Sequence, residues 1–117
     1  MARLSTHVLD ISRGKPAAGM RIELYSLKEH ERVHLKTVTT NKDGRTDEPL
    51  LTGEHIPVGM FELVFEAAPY FRKLGETLPD PPFIDGVVIR FGISDSSGHY
   101  HVPLLVSPYG YSTYRGS

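Results

Sequence analysis

An all-β fold, a two-sheet antiparallel sandwich with one short helix, is what this sequence predicts, and three observations predict it. Short runs rich in apolar and β-branched residues recur along the chain, several of them alternating with polar residues. Clusters of Gly, Pro, Asn and Asp separate these runs, as turns require. A single stretch reads as helix, which excludes alternating βαβ units.

The elements follow in order. Residues 4–10 are short and β-branched, and Gly14-Lys15-Pro16 turns the chain after them. Residues 20–27 place Ile22 and Leu24 on one side and Glu23 on the other. Residues 32–40 put Val33, Leu35 and Thr37 on one face, before Asn41-Lys42-Asp43-Gly44 supplies a turn in which Gly44 takes positive φ at little cost. Residues 60–66 form the next strand. In residues 87–94, Val87, Ile89, Phe91 and Ile93 share a face and alternate with Val88, Arg90 and Gly92. Residues 99–106 form the last long strand and residues 111–114 a short terminal one. Residues 70–75 suit one or two helical turns ended by Gly75. Residues 79–82, Pro-Asp-Pro-Pro, are loop, because proline fixes φ and lacks an amide donor.

Length and composition narrow the possible functions. A chain of 117 residues is expected to form one domain, residues 1–117, since domains commonly run to ~100–150 residues. Hydrophobic residues at 39% are enough for one sandwich core and argue against disorder. With 13 Lys+Arg against 14 Asp+Glu there is no basic field to hold a phosphate backbone, so no nucleic-acid partner is expected. The absence of cysteine excludes disulfides, Cys-ligated zinc and thiolate chemistry. No apolar run approaches the ~20 residues that span a bilayer, so no membrane association is expected. His7 and Asp10 interrupt what would be a signal-peptide core, and the final residues are not a Ser-Lys-Leu import address. The expected location is cytoplasmic.

Six histidines, at 7, 30, 34, 55, 99 and 101, are the natural candidates for chemistry in a chain without cysteine. Strand alternation sorts them. Tyr100, Val102, Leu104 and Val106 share an apolar face that belongs inside, leaving His99, His101, Pro103 and Leu105 on the other. The first strand repeats the arrangement, with Leu4, Thr6 and Val8 on one side and Ser5, His7 and Leu9 on the other. A titratable ring on an otherwise apolar outer face marks a site or an interface. Imidazole, with an ordinary pKa near ~6.5, can take and return a proton near neutrality. On residue pattern alone, each also fits an ordinary hydrogen-bonded strand histidine.

Arg45, just after the Asp43-Gly44 turn, is either a solvated charge or a guanidinium presenting fixed donors to a planar, carbonyl-rich anion. Tyr109, Tyr111 and Tyr114 crowd the tail before Arg115-Gly116-Ser117, which is either frayed or part of a pocket. His99 and His101 have a spacing that can chelate zinc, with His7 as a conceivable third ligand, but no acidic ligand is evident by spacing. No Gly-x-Ser-x-Gly elbow, phosphate-cradling loop or dinucleotide fingerprint is present.

At these residues the chain resembles a known family. Ser5-Thr6-His7-Val8-Leu9-Asp10 with Gly14-Lys15-Pro16-Ala17 resembles the opening motif of the transthyretin family, and Asp43-Gly44-Arg45-Thr46-Asp47 resembles its central loop. The stretch from His99 to Pro108, then Tyr109 to Ser117, is similar to the closing motif of the hydroxyisourate hydrolase branch. The likeness runs from about residue 3 to 117 in unbroken order. It implies histidines at His7 and His101, an arginine at Arg45 and a terminal Tyr114-Arg115-Gly116-Ser117 in hydrolases, where carriers have other groups. All four features stand here. Val106 and Tyr109, where hydrolases often have leucine and phenylalanine, are departures away from the chemistry.

The resemblance implies a two-sheet sandwich that assembles as a homotetramer, a dimer of dimers. Its inter-subunit channel would be walled by the face bearing His7, Leu9, His101, Pro103 and Leu105. The implied activity is hydrolysis of 5-hydroxyisourate, the product of urate oxidation in purine breakdown, to 2-oxo-4-hydroxy-4-carboxy-5-ureidoimidazoline, with neither metal nor cofactor. In that reading His7 and His101 divide the acid and base roles, and Arg45 orients the substrate and stabilises its negative charge. Tyr114 and Ser117 hold the ring edge, and Arg115 supports the tail. The alternative within the family is a small-ligand carrier without turnover, against which the polar histidines of the channel argue.

Overall fold

The computed structural model describes residues 1–116. In chain order its elements are β1 (Ala2–Asp10), β2 (Lys15–Pro16), β3 (Arg21–Lys28), β4 (Glu31–Thr39), β5 (Leu51–Gly53), β6 (Gly59–Phe65), α1 (Ala67–Lys73), β7 (Val87–Ile93), β8 (His99–Ser107) and β9 (Gly110–Thr113). One sheet runs β2-β1-β8-β9 with β5 also on β1, and the other runs β4-β3-β6-β7. The expected all-β sandwich is borne out. Pairing is antiparallel throughout except between β1 and β8, which run parallel.

Alternation drives the packing. Along β1, Ala2, Leu4, Thr6, Val8 and Asp10 are buried, while Ser5, His7 and Leu9 are half-buried on the outer side. Leu4, Val8, Leu104 and Val106 of the first sheet meet Ile22, Leu24, Leu63, Phe65, Val87 and Ile93 of the second in one apolar core. Each such side chain, fully removed from water, contributes roughly 1.5–3 kcal/mol, which holds the two layers together.

The structure corrects the sequence reading in several places. β2 and β5 are too short to carry a period, and both extend the edge of β1. The face proposed for Val33, Leu35 and Thr37 is broken by a bulge, because the β3–β4 register shifts between Leu24 and Tyr25. Val33 and Leu35 are consequently exposed on an edge strand. The preceding hairpin turns through Glu29 and His30, both at positive φ without the usual Asn or Gly.

The helix begins at Ala67 rather than residue 70, since Pro69 falls in the first turn, where its missing N–H leaves no intrahelical bond unmade. Its end closes as expected near Gly75, whose N–H donates to the Arg72 carbonyl (2.9 Å) while that of Glu76 donates to Phe71 (3.1 Å). The helix buries Tyr70, whose hydroxyl donates to Asp10 Oδ2 at 2.9 Å. Asp10 is fully buried, and its Oδ1 accepts from the Ser12 amide and hydroxyl and the Arg13 amide. Burial and the bond to Asp10 push the Tyr70 phenol well above its ordinary range. The helix is thereby tied to the end of the strand that carries His7.

Candidate active site

The register of β1 and β8 decides which outer-face side chains are neighbours. Ser5 lies opposite His101, His7 opposite Pro103, and Leu9 opposite Leu105. Side chains in register project from the same side of a sheet, so these six share its outer surface. His7, His101, Leu9 and Leu105 are half-buried and Pro103 is buried. The structure thus brings His7 and His101 together as alternation predicts.

Arg45 joins them through the loop after β4. The edge of β1 is occupied by β5 at Ala2–Leu4 and by β2 at Leu9–Asp10, which leaves a gap between. The loop fills it: the Val8 N–H donates to the Gly44 carbonyl at 2.8 Å. Asn41 shapes the turn, its Oδ1 accepting from the amides of Asp43 (2.9 Å) and Arg45 (3.2 Å). Gly44 has φ +74°, and a Cβ there would stand 2.4 Å from the Val8 carbonyl oxygen. Only glycine lets the loop come this close, and the approach delivers Arg45 to the histidine face.

A recess of about 210 Å³ is lined by Arg3, Ser5, Arg45, His99, Tyr100 and His101. Within it, Ser5 Oγ and His101 Nδ1 are hydrogen-bonded at 2.9 Å. Burial first, then the Arg45 guanidinium, the neighbouring His7 ring, which resists a second proton nearby, and the Arg3 guanidinium hold the His101 imidazole below its ordinary value. His7 is also held low, by burial and then by Arg45, against the opposing pull of the Asp43 main chain and carboxylate. Both rings are therefore set to be uncharged near neutral pH, beside fixed guanidinium charges. Such a site can take a proton and stabilise an anion at once.

The tail is arranged differently from the expectation. Tyr114 is exposed and faces, with Arg115, a separate apolar hollow bordered by Ile89, Phe91 and Val102. The Arg115 guanidinium lies 4.2 Å from the Tyr100 ring centroid and donates to the His99 carbonyl at 3.1 Å, which anchors the tail to β8. Ser117 lies outside the described residues. Two contacts of His101 are not legible in the residue pattern. Strand alternation puts Ser5 on the outer face, but its pairing with His101 depends on a register that no local pattern reveals. Gly116 donates its N–H to the His101 carbonyl at 2.8 Å and packs against the ring. Among the described residues no three His, Asp or Glu side chains gather to hold a metal ion. No helix among them is long and apolar enough to cross a membrane.

A sandwich with paired imidazoles and an arginine on the outer face of one sheet defines a class, and comparison with known proteins identifies it. The chain belongs to the HIUase/Transthyretin family, whose model matches residues 4–116. It is 57% identical over 115 residues to "5-hydroxyisourate hydrolase 2" of Rhizobium meliloti, covering 98% of this chain and 96% of that protein. It is 60% identical over 115 residues to a 5-hydroxyisourate hydrolase of Mesorhizobium japonicum, covering 98% and 92%. Among solved structures, a 5-hydroxyisourate hydrolase of Klebsiella pneumoniae superposes with a TM-score of 0.83 at 34% identity, covering 100% of both chains. An (S)-allantoin synthase superposes at 0.92 with 43% identity, covering 99% of this chain but 44% of that longer one. The resemblance read from the three motifs is borne out.

Proposed function

We propose that this chain, as a single domain, hydrolyses 5-hydroxyisourate. The reaction opens the six-membered lactam ring to 2-oxo-4-hydroxy-4-carboxy-5-ureidoimidazoline in the cytoplasmic breakdown of urate. The observation that carries the reading is the grouping of His7, His101 and Arg45 at one outer sheet face, in a family whose matching relatives bear the name 5-hydroxyisourate hydrolase. Ring opening needs a base for the attacking water, donors for the developing oxyanion and a proton for the departing nitrogen. His7 and His101 divide the acid and base roles, and Arg45 orients the substrate and offsets its negative charge. No metal takes part.

The working form is a homotetramer, a dimer of dimers, with the faces bearing His7, Leu9, His101, Pro103 and Leu105 lining the channel between subunits. Half-buried Leu9 and Leu105 and the nearby exposed Ile11 and Tyr111 support such an interface. The family resemblance assigns substrate contacts to Tyr114 and Ser117 and support of the tail to Arg115; within one subunit Tyr114 and Arg115 border a hollow separate from the histidine recess. The test is the ultraviolet decay of 5-hydroxyisourate generated from urate by urate oxidase, with and without the protein and a chelator. Faster decay that survives chelation is expected. Decay at the spontaneous rate from folded tetramer overturns the hydrolase reading in favour of a carrier.

A further inference from the structure

His101 is gripped from two sides, and neither contact belongs to the acid–base pair itself. On one side stands Ser5, directly opposite in the β1–β8 register, with Oγ 2.9 Å from Nδ1. On the other is Gly116, bridged to His101 through its backbone and donating to the His101 carbonyl at 2.8 Å. A Cβ on Gly116 would lie 2.6 Å from His101 Cδ2, 3.3 Å from Cγ and 3.4 Å from Cβ. Real side chains do not approach so closely, so any residue but glycine displaces the ring. The glycine's backbone conformation is open to other residues, which leaves the ring as the reason for it.

The Ser5 contact has a direction. A serine hydroxyl carries one proton, and a neutral imidazole has one donor and one acceptor nitrogen. Arg3 and Arg45, the cations of this recess, can only donate. The remaining imidazole, His99, donates from Nε2 to the Met1 carbonyl. Among the described residues Ser5 has one side-chain hydrogen bond, to His101. This set of neighbours favours the arrangement in which the Ser5 proton points at Nδ1 and the imidazole proton stands on Nε2.

We propose that Ser5 and Gly116 are positioning residues for His101, the first holding the ring's proton on Nε2 and the second holding the ring's orientation. The inference rests on the hydrolase reading and sharpens it by dividing the two histidines. In place of proton transfer, His101 serves as a neutral N–H donor to the developing oxyanion and keeps its proton. His7 moves the proton. Water oxygen bonds to the lactam carbon as its proton passes to His7 and the carbonyl electron pair moves onto oxygen. On collapse the C–N bond breaks and His7 returns that proton to nitrogen.

The test combines a spectroscopic readout with kinetics. In wild-type tetramer with ¹⁵N-labelled histidine, His101 is expected to show a protonated Nε2 and a hydrogen-bonded, unprotonated Nδ1 at neutral pH. A proton on Nδ1 overturns the proposal, whatever the activity. Ser5→Ala should mix the tautomers and lower kcat about tenfold, the size of one well-placed hydrogen bond, with KM nearly unchanged. Ser5→Thr should restore both. Gly116→Ala should shift the His101 resonances and lower kcat while leaving those of His7 in place. Unaltered resonances and kcat in Ser5→Ala and Gly116→Ala overturn the proposal. A wild-type protein without turnover refutes the hydrolase reading instead, and the tautomer measurement still judges the Ser5 contact.

Discussion

His7 and His101 project from one outer face of adjacent parallel strands, His7 opposite Pro103 and His101 opposite Ser5, so that they stand diagonally across the β1–β8 pair. Replacing either with alanine removes a half-buried polar ring without opening the core. His7→Ala and His101→Ala are each expected to lower kcat about a hundredfold or more while leaving the fold intact, as loss of an acid–base group does. Steady-state kinetics beside circular dichroism checks this, and wild-type rates in the folded variant would remove that histidine from the mechanism.

The same pair makes stability depend on pH in a definite direction. Both rings are held below the ordinary value of 6.5, by burial first and then by Arg45. Between the lowered folded value and about 6.5 the unfolded chain binds protons that the folded chain does not, so stability falls as pH drops through this window. Arg45→Gln removes one of the two principal causes. Both pKa values should rise toward ordinary, and the acid limb of kcat/KM should move to higher pH. Histidine ring NMR titration of the ligand-free protein measures the shift directly.

Gly44 tests how the loop delivers Arg45. Gly44→Ala forces a side chain into positive φ and against the Val8 carbonyl, where no relaxation is possible without moving the loop. A loss of about 1–3 kcal/mol is expected. Turnover should fall further than stability explains, because Arg45 leaves the histidine face. Thermal melts and kcat/KM on one preparation separate the two effects.

These cases show how much the sequence discloses. The alternation of Val87, Ile89, Phe91 and Ile93, and of Tyr100, Val102 and Leu104, placed the core and put both catalytic candidates on one outer face. Period-two patterns carry that information because they report burial on a pleated surface. They do not report which strands lie side by side. The Ser5–His101 bond needs the β1–β8 register, and Arg45 beside His7 needs a loop docked in a gap between two very short strands. The β4 bulge escaped for a similar reason, since an edge strand with little burial leaves no strong pattern to break.

Tyr70 offers a test of the frame behind the site. Tyr70→Phe removes a hydroxyl that donates to a fully buried carboxylate, and should destabilise the fold by about 1–3 kcal/mol. The Tyr70 phenol, raised by burial and by Asp10, also contributes stability that is present below its ordinary value of about 10 and lost as pH rises above it. Urea unfolding at neutral and alkaline pH should show wild type and Tyr70→Phe converging as pH rises. Parallel curves would mean that the phenol does not titrate with unfolding.

Removing residues 115–117 should lower turnover at least tenfold while the sandwich stays folded, since β9 ends at Thr113 and its pairing with β8 is untouched. A truncated protein with full rate would place the tail outside the site.

The parallel pairing of β1 with β8 joins residues 96 positions apart, and this gives the protein a built-in order of assembly. On the ribosome β1 is made well before β8 and waits with its β8 edge open until residues 99–107 have been made, because so distant a partner cannot form early. Nascent chains that stop short of β8 lack the strand that joins β1 to β9, and they lack His101. Fragments lacking β8 therefore lose the sheet partner of β1 and half of the histidine pair at one stroke, so that folding of the first sheet and completion of the site arrive together.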